Sequence, residues 1–424
     1  AALAALVALS TAAYRSDAAD SLTLSDAFVR VAEYQGKTHP QLQLYGLRAE
    51  IFAAEQQQAS QSPPLIVGIN MDNGFGTGGY NAMQSAELTL SLASILERGG
   101  KLDARRALVQ THIDALALER EASRLDLLAE AARRYLAAVA AAHQHDIALL
   151  DIEQRRRMLT SAKQRLQAGA SPESVVFTAQ AALAKAELER DRAVLRGDGA
   201  RQHLAALWGE RNPTFTVVGV NPLTLPAIED FSALVLMLER TPELAQFADQ
   251  RRIREARLQL ARSEASPNLD WQIGIRQLQE DGDLALVGSL SMPLGSRGRA
   301  QPGIRAAEAE LEALTIEREA RDISLYSTLT EAHSRYLTAQ NEVARLGNEV
   351  LPRLKQAETA AERAFRAGAI SYLEWSLLQS EHTAVRKQQL DAAIEAQRAL
   401  IELQRLTGQA LVSAPSTTAQ GNQP

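Results

Sequence analysis

The chain has 424 residues, 45 Lys plus Arg against 51 Asp plus Glu, a formal charge of −6, and aromatic residues at only 4%. So little large apolar volume excludes one big globular core, and Arg interleaved with Glu and Asp excludes the basic stripe of a nucleic-acid-binding protein. Cysteine is absent, so disulfides and thiolate metal sites are excluded as well.

In chain order, Ala1 to Leu9 is apolar and is followed by small residues at 10 to 13. That pattern reads as the apolar core and cleavage zone of an export signal. Residues 1–21 are therefore expected to be a residual signal or unstructured start, with order from near Leu22. A Pro-initiated helix is predicted for Pro40 to Ser60 and is ended by Ser62-Pro-Pro64. The period then changes from helical to alternating. Leu65 to Asn73, a Gly74-Phe-Gly-Thr-Gly-Gly79 turn, and Leu88, Leu90 and Leu92 alternating with Thr89, Ser91 and Ala93 predict a β-hairpin over about 65–94.

Helical periodicity resumes at Lys101 and persists to Gln167, a rod on the order of 100 Å at 1.5 Å per residue. Its apolar seam, Leu125, Ala129, Ala132, Leu136 and Val139, is Ala-rich and suits side-by-side helices. Ala168-Gly-Ala-Ser-Pro172 breaks the rod, and a further helix returns to Trp208, giving a helical hairpin over about 101–208. Pro222 and Pro226 then mark a linker in the segment from Asn212 to Arg240.

The pattern now repeats. Thr241-Pro-Glu-Leu244 answers His39-Pro-Gln-Leu42 at a separation of 241 − 39 = 202, and Arg297-Gly298, Tyr336-Leu337 and Ala367-Gly-Ala369 answer Arg98-Gly99, Tyr135-Leu136 and Ala168-Gly-Ala170 near that spacing. This is a tandem duplication of a large unit, with repeats at 22–211 and 212–409 and a disordered tail at 410–424. In the second unit the Pro-initiated helix is predicted for Pro242 to Glu264. Leu269, Trp271, Ile273 and Ile275, then Leu284, Leu286 and Leu290 after Glu280-Asp-Gly-Asp283, predict a hairpin over about 269–293. The second helical hairpin is predicted over about 302–407, with Leu325, Leu329, Ala332, Tyr336, Ala339, Val343, Leu346 and Val350 as a strict four-and-three seam. In each unit the return helix and the Pro-initiated helix together nearly match the long rod. The two are expected to stack end to end beside it, either side of a girdle formed by 22–36, 212–240 and the C-terminal segment.

The fold class is thus mainly α with a membrane β-barrel contribution. Each strand has roughly the 9 to 11 residues that a tilted strand needs to cross a bilayer. Leu88, Leu90, Leu92, Trp271, Ile273, Ile275, Leu284, Leu286 and Leu290 are the expected lipid-facing residues. A soluble sheet predicts the same alternation, which leaves a periplasmic coiled-coil scaffold as the rival from another class. If the strands span, four per chain cannot close a barrel, and the protein is an oligomer; two copies give eight strands and three give twelve.

Units of helix, β-hairpin, long helix, Ala-Gly-Ala tip and return helix, written twice, with Pro293-Leu-Gly-Ser-Arg-Gly298 closing the second β-hairpin, resemble the TolC-type outer-membrane efflux family. More particularly, they resemble its heavy-metal branch, that of the cobalt-zinc-cadmium resistance outer-membrane component. The resemblance implies a homotrimer in the outer membrane of a Gram-negative bacterium, a shared twelve-stranded barrel in lipid, and a helical tunnel reaching into the periplasm. It also implies a periplasmic membrane-fusion adaptor and, through it, an inner-membrane proton-driven pump. The cargo it implies is divalent heavy-metal cations; drugs, other organic compounds or secreted polypeptide stand as alternatives. The barrel alone is expected to anchor the protein.

The family narrows its tunnel with acids just beyond the second tip, and the matching residue here is Glu374, which equally suits a first-turn helix acid; a second family acid is replaced by Leu377. Arg165, Gly169, Ser171, Arg366, Gly368 and Ser371 are the implied adaptor-contacting tip residues. Gly169 and Gly368 are also the expected chain-reversing residues, with Ser171 and Ser371 as helix caps. For Arg165 and Arg366 the resemblance also implies interhelix locks, and the alternative is solvated charges at helix C-termini. His143 and His145, two apart on a helix, do not share a face, so no metal site is expected. No cofactor and no enzymatic activity are expected, because no nucleophile–base set or phosphate loop is present.

Overall fold

The computed structural model describes residues 21–34, 36–74, 77–78, 82–219 and 221–411. The expected export segment at 1–20, Phe75, Gly76 and Gly79 of the first turn, and the tail beyond 411 lie outside the described residues.

The chain opens with strand β1 (Ser21–Leu22) and helix α1 (Leu24–Ala32). Thr23 caps α1 reciprocally: its hydroxyl accepts from the Asp26 N–H at 3.2 Å, and the Asp26 carboxylate accepts from the Thr23 N–H at 3.0 Å. Short strands β2 (Glu33–Tyr34) and β3 (Lys37–Thr38) lead to α2 (Pro40–Ala59). There follow β4 (Ile66–Asp72), β5 (Glu87–Leu96), α3 (Lys101–Gln167), α4 (Glu173–Ala205), a 3₁₀ turn at Ala206–Trp208 and β6 (Thr216–Val217). The second half contributes α5 (Phe231–Leu238), α6 (Pro242–Ser263), β7 (Leu269–Leu278), β8 (Leu284–Ser291), α7 (Ser296–Arg345), a π-helical turn at Leu346–Val350, α8 (Leu351–Arg366) and α9 (Tyr372–Thr407).

Strands β4, β5, β7 and β8 form one antiparallel sheet in that order, so its central pair joins the two repeats. From the sheet, α3 and α7 run away side by side with α2 and α6. Contacts fix the helix order as α2–α3–α6–α7 near the sheet and as α4–α3–α9–α8 toward the tips. The end-to-end stacking is visible in the partners along α3. Arg48 and Gln56 of α2 reach Glu119 and Gln110 at 2.8 Å each, while α4 meets α3 further on, where Arg134 donates to the His203 carbonyl at 2.9 Å.

Between these halves lies the girdle, with one buried cluster per repeat. Leu22, Ala27 and Val31 pack with Leu127, Tyr135, Val139, Leu204 and Trp208; Leu234 and Leu238 pack with Leu325, Leu329, Tyr336, Ala399 and Leu403. Each cluster is hooked by a tyrosine of the long helix. Tyr135 donates to the Val218 carbonyl at 2.6 Å, and Tyr336 to the Pro226 carbonyl.

Four expectations change. The second rod begins at Ser296 rather than near 302: Gly295, at φ 78°, makes the break, and Pro302 costs only a bond in the second turn. Its seam is buried from Leu325 to Val343 but stops there, because the π turn inserts an extra residue and rotates Leu346 and Val350 to half-buried positions. Leu125 is likewise only half-buried. At the chain's ends, Ser21 pairs with Thr216 and Leu411 packs against the girdle, so both belong to the fold.

Candidate functional site

Two surfaces carry the functional expectations: the faces of the four-stranded sheet and the paired helical tips. Directly opposite residues in a sheet share a face, and the register aligns Val67 with Leu92 and Ile273, Ile69 with Leu90, Ile275 and Leu286, Leu88 with Met71, and Trp271 with Leu290. All nine expected lipid-facing residues, Leu284 included, therefore project from one face. Leu286 is 86% exposed, and Leu88, Leu90, Ile273, Ile275, Leu284 and Leu290 are also exposed; Leu92 and Trp271 are half-buried.

The opposite face is mainly polar, carrying Asn70, Asp72, Glu87, Thr89, Ser91, Gln272 and Arg276, with Ile66, Ile95, Leu278 and Val287 interspersed. Across its middle runs a row of small residues, Gly68, Ser91 and Gly274. A Cβ on Gly274 would sit 2.6 Å from the Leu90 carbonyl oxygen, so only glycine permits this approach of β5 to β7. Thr89 and Ser91 are buried in the resulting fold of the sheet. Strands β4 and β8 each pair on one side only.

At the far end of the helices the two hairpin tips lean on each other. Gly169 and Gly368 turn the chain at φ 72° and 82°, a conformation that a side chain disfavours. Around them Met158, Ala162, Val176, Phe365, Tyr372 and Trp375 form one buried cluster drawn from α3, α4, α8 and α9, with Phe365 and Trp375 rings 5.1 Å apart. Arg165 spans the two tips. Its guanidinium donates to the Phe365 carbonyl and, at 3.2 Å, to the Ala170 carbonyl, and lies 4.8 Å from the Phe365 ring centre. Arg366, by contrast, is exposed and, among the described residues, pairs within its own helix with Glu362.

Ser371 caps α9 in the expected way, with its hydroxyl accepting from the Glu374 N–H at 3.3 Å. Glu374 returns the contact, its carboxylate accepting from the Ser371 N–H at 2.7 Å and hydroxyl at 2.8 Å, and these bonds hold its carboxyl below the usual carboxylate range. The expected cap at Ser171 does not form. Pro172 occupies the N-cap position of α4, and no acid stands three residues after Ser171 to complete a box.

Sequence reasoning missed the tip cluster and the polar seam above it. The signal was there: Phe365, Tyr372 and Trp375 fall within eleven residues of a chain with 8 Phe, 8 Tyr and 3 Trp. Burial holds the Tyr372 hydroxyl above its usual pKa, with Arg155 opposing the shift. In the seam, Arg155 donates to the Ser376 and Ser380 hydroxyls at 3.1 and 2.9 Å and lies 3.3 Å from Asp151, while His382 and Glu358 pair at 2.8 Å. Apart from Arg155 and Asp151, which stand four apart on α3, no sequence pattern announced these, because the partners stand on different helices. Among the described residues no group of three or more His, Cys, Asp or Glu could hold a metal ion.

Residues 43–210 and 233–409 each match the model of the outer membrane efflux protein family. The chain belongs to that family. This efflux protein is therefore placed in the outer membrane and extends into the periplasm. It is 27% identical over 280 residues to the cobalt-zinc-cadmium resistance protein CzcC of Cupriavidus metallidurans, covering 66% of this chain and 67% of that one. It is 26% identical over 356 residues to the pyoverdine export outer membrane protein OpmQ of Pseudomonas putida, covering 79% and 74%. Among solved structures it resembles CusC, with a TM-score of 0.75, 16% identity and 91% of each chain covered, and the outer-membrane channel OprN, with 0.74, 20%, and 92% and 90% covered.

Proposed function

We propose that three copies of this outer membrane efflux protein close a twelve-stranded barrel, continue it as a helical tunnel, and passively conduct divalent heavy-metal cations out of the periplasm. The observation that carries the reading is the sheet: one apolar face, one polar face, and two half-paired edges. In hydrocarbon an open edge leaves backbone groups unsatisfied, and β4 and β8 run in opposite senses, so β8 of one copy can continue the antiparallel pattern with β4 of the next. The apolar row from Leu88 to Leu290 then faces lipid and the polar face lines water. The helix order predicts the matching contacts between copies, α2 against α7 near the sheet and α4 against α8 toward the tips.

At the tips, exposed Gly169, Arg366, Gly368 and Ser371 with half-buried Ser171 offer a rim for a periplasmic adaptor, through which an inner-membrane proton-driven pump supplies the energy. Arg165 is committed to holding the tips together. A ring of Glu374 attracts cations, and its lowered pKa keeps it ionised at periplasmic pH. Glu374→Gln is expected to reduce cation over anion permeability in planar bilayers; unchanged selectivity removes Glu374 from the gate.

The oligomer is tested by extraction. Detergent-dependent release with the outer membrane and a particle of three chains are expected, and clean release of a monomer with the periplasm would establish the scaffold instead. The likeness to CzcC supports metal cargo, and that to OpmQ supports a second reading, export of a siderophore-like organic compound. Deleting the gene and measuring tolerance of cobalt, zinc and cadmium beside dyes and antibiotics separates the two: loss of metal tolerance alone is expected.

A further inference from the structure

Arg276 is the only Lys or Arg within the four strands of the sheet. It stands in β7, on the polar face, opposite Thr89 of β5. Its guanidinium reaches back into the first repeat, where Nη1 donates to Glu87 at 2.7 Å, Nε donates to the Thr89 hydroxyl at 3.0 Å, and Nη2 lies 3.8 Å from Asp72. Glu87 is held from its other side by the Asn73 amide, which donates at 3.2 Å from a residue at φ 57°. The small row Gly68, Ser91 and Gly274 lies beside this group on the side away from the turns.

The surrounding charge is strongly acidic. At this end of the sheet β4 ends with Asp72, β5 begins with Glu87, and the β7–β8 turn carries Glu280, Asp281 and Asp283. Five carboxylates thus share one strand cation per chain. Carboxylate oxygens are the preferred ligands of hard multivalent cations, and conduction requires a site weak enough for its occupant to leave. A cationic cargo arriving at an uncompensated acidic mouth would be held there.

The geometry points to Arg276 as the residue that sets the cation affinity of the outer mouth, keeping Glu87 and Asp72 occupied so that exported cations are released rather than retained. This rests on the proposed reading that the polar face lines the pore. The guanidinium suits the role because its planar fork can engage several acceptors at once. Bridging both repeats, it also fixes the carboxylates in place.

The test is current through purified protein in planar bilayers at low salt, with hexaamminecobalt(III) added on the side of the strand turns. Arg276→Gln is expected to lower the half-blocking concentration about tenfold, since a trivalent ion near a freed carboxylate gains a strong and weakly screened attraction. Arg276→Lys, which keeps the charge, should stay within about threefold of wild type. Glu87→Gln should shift the block the opposite way, to higher concentration. Unchanged block in a conducting Arg276→Gln channel overturns the proposal. If that variant does not insert, Glu87→Gln decides, and unchanged block there overturns it equally. Absence of any current from the wild-type protein is a separate outcome, which overturns the pore reading itself and the proposal with it.

Discussion

In the first repeat the long helix α3 runs unbroken for 67 residues, whereas its counterpart is divided into α7 and α8 by a π turn. The girdle hook is the same in both, with Tyr135 and Tyr336 reaching carbonyls of the opposing segment. The rods differ because Gly347 and Pro352 stand at the division. Without its side chain, Gly347 leaves space that the Gln389 amide enters; a Cβ there would lie 2.5 Å from Gln389 Nε2. That amide donates to the Val343 carbonyl at 3.2 Å, capping a backbone group in the last turn before the register changes. Helix α3 packs on α2, α4, α6 and α9, drawn from both repeats, while α8 packs chiefly on α9. Duplication therefore supplied two similar rods, and divergence left one as the continuous spine of the wall and made the other a jointed member.

The hooks give the largest test of this comparison. Tyr336 is fully buried, and Tyr336→Ala is expected to cost about 3–5 kcal/mol, read as a lowered melting temperature in detergent; Tyr135→Ala should match it if the hooks are equivalent. Burial pushes both hydroxyls up to about 12. A raised folded-state value means that this stabilisation is complete below the unfolded value near 10 and is lost as pH rises from there through about 12. Melting curves across that window should fall, and Tyr135→Phe with Tyr336→Phe should flatten the fall.

The tips come next in size. Arg165→Ala removes a guanidinium held by two carbonyls and a ring, and is expected to destabilise the tip by about 1–3 kcal/mol. Hydrogen exchange around Gly169 and Gly368 should report it. The matching Arg366→Ala breaks only an exposed pair within one helix and should stay within about 0.5 kcal/mol; equal effects would mean that the two tips are locked symmetrically.

The joint gives a smaller effect than Arg165. Gly347→Ala displaces the flexible end of Gln389 from the Val343 carbonyl, for about 1 kcal/mol. Gln389→Ala should cost a similar amount, and the double variant less than the sum. Additive costs would break the assignment of the joint to that contact.

Block at Arg276 from the turn side and ion selectivity at Glu374 report on opposite ends of the proposed duct, independently of these stability differences.

Much of this was legible in residue order. Period-two runs gave the four strands because each strand has one apolar and one polar face. The Lys101–Gln167 rod carried its own limits, Gly100 before it and Ala-Gly-Ala after it, since a break in helical backbone needs only local residues. Ser371 as a cap and Glu374 as a first-turn acid were each readable, because both are local positions at a helix start; their closing of one capping box is seen in the structure. The π turn was not readable: Gly347 and Pro352 stood in view, but a strict seam spacing ran through them, and the register change depends on Gln389 from another helix. Arg165 is similar: by sequence it stood as an adaptor contact, a lock or a solvated charge, and only α8 lying alongside makes it a bridge.

By itself, then, the sequence determined the duplication and the order and approximate extent of the two β-hairpins and the long helices, consequences of backbone geometry and side-chain period within one segment. Which helices neighbour one another, that β5 pairs with β7 across the repeats, that Arg276 clasps Glu87, and where the second rod is jointed were decided only in tertiary structure. Those contacts join residues far apart in the chain, and their energies depend on packing, burial and partner geometry that no local pattern encodes.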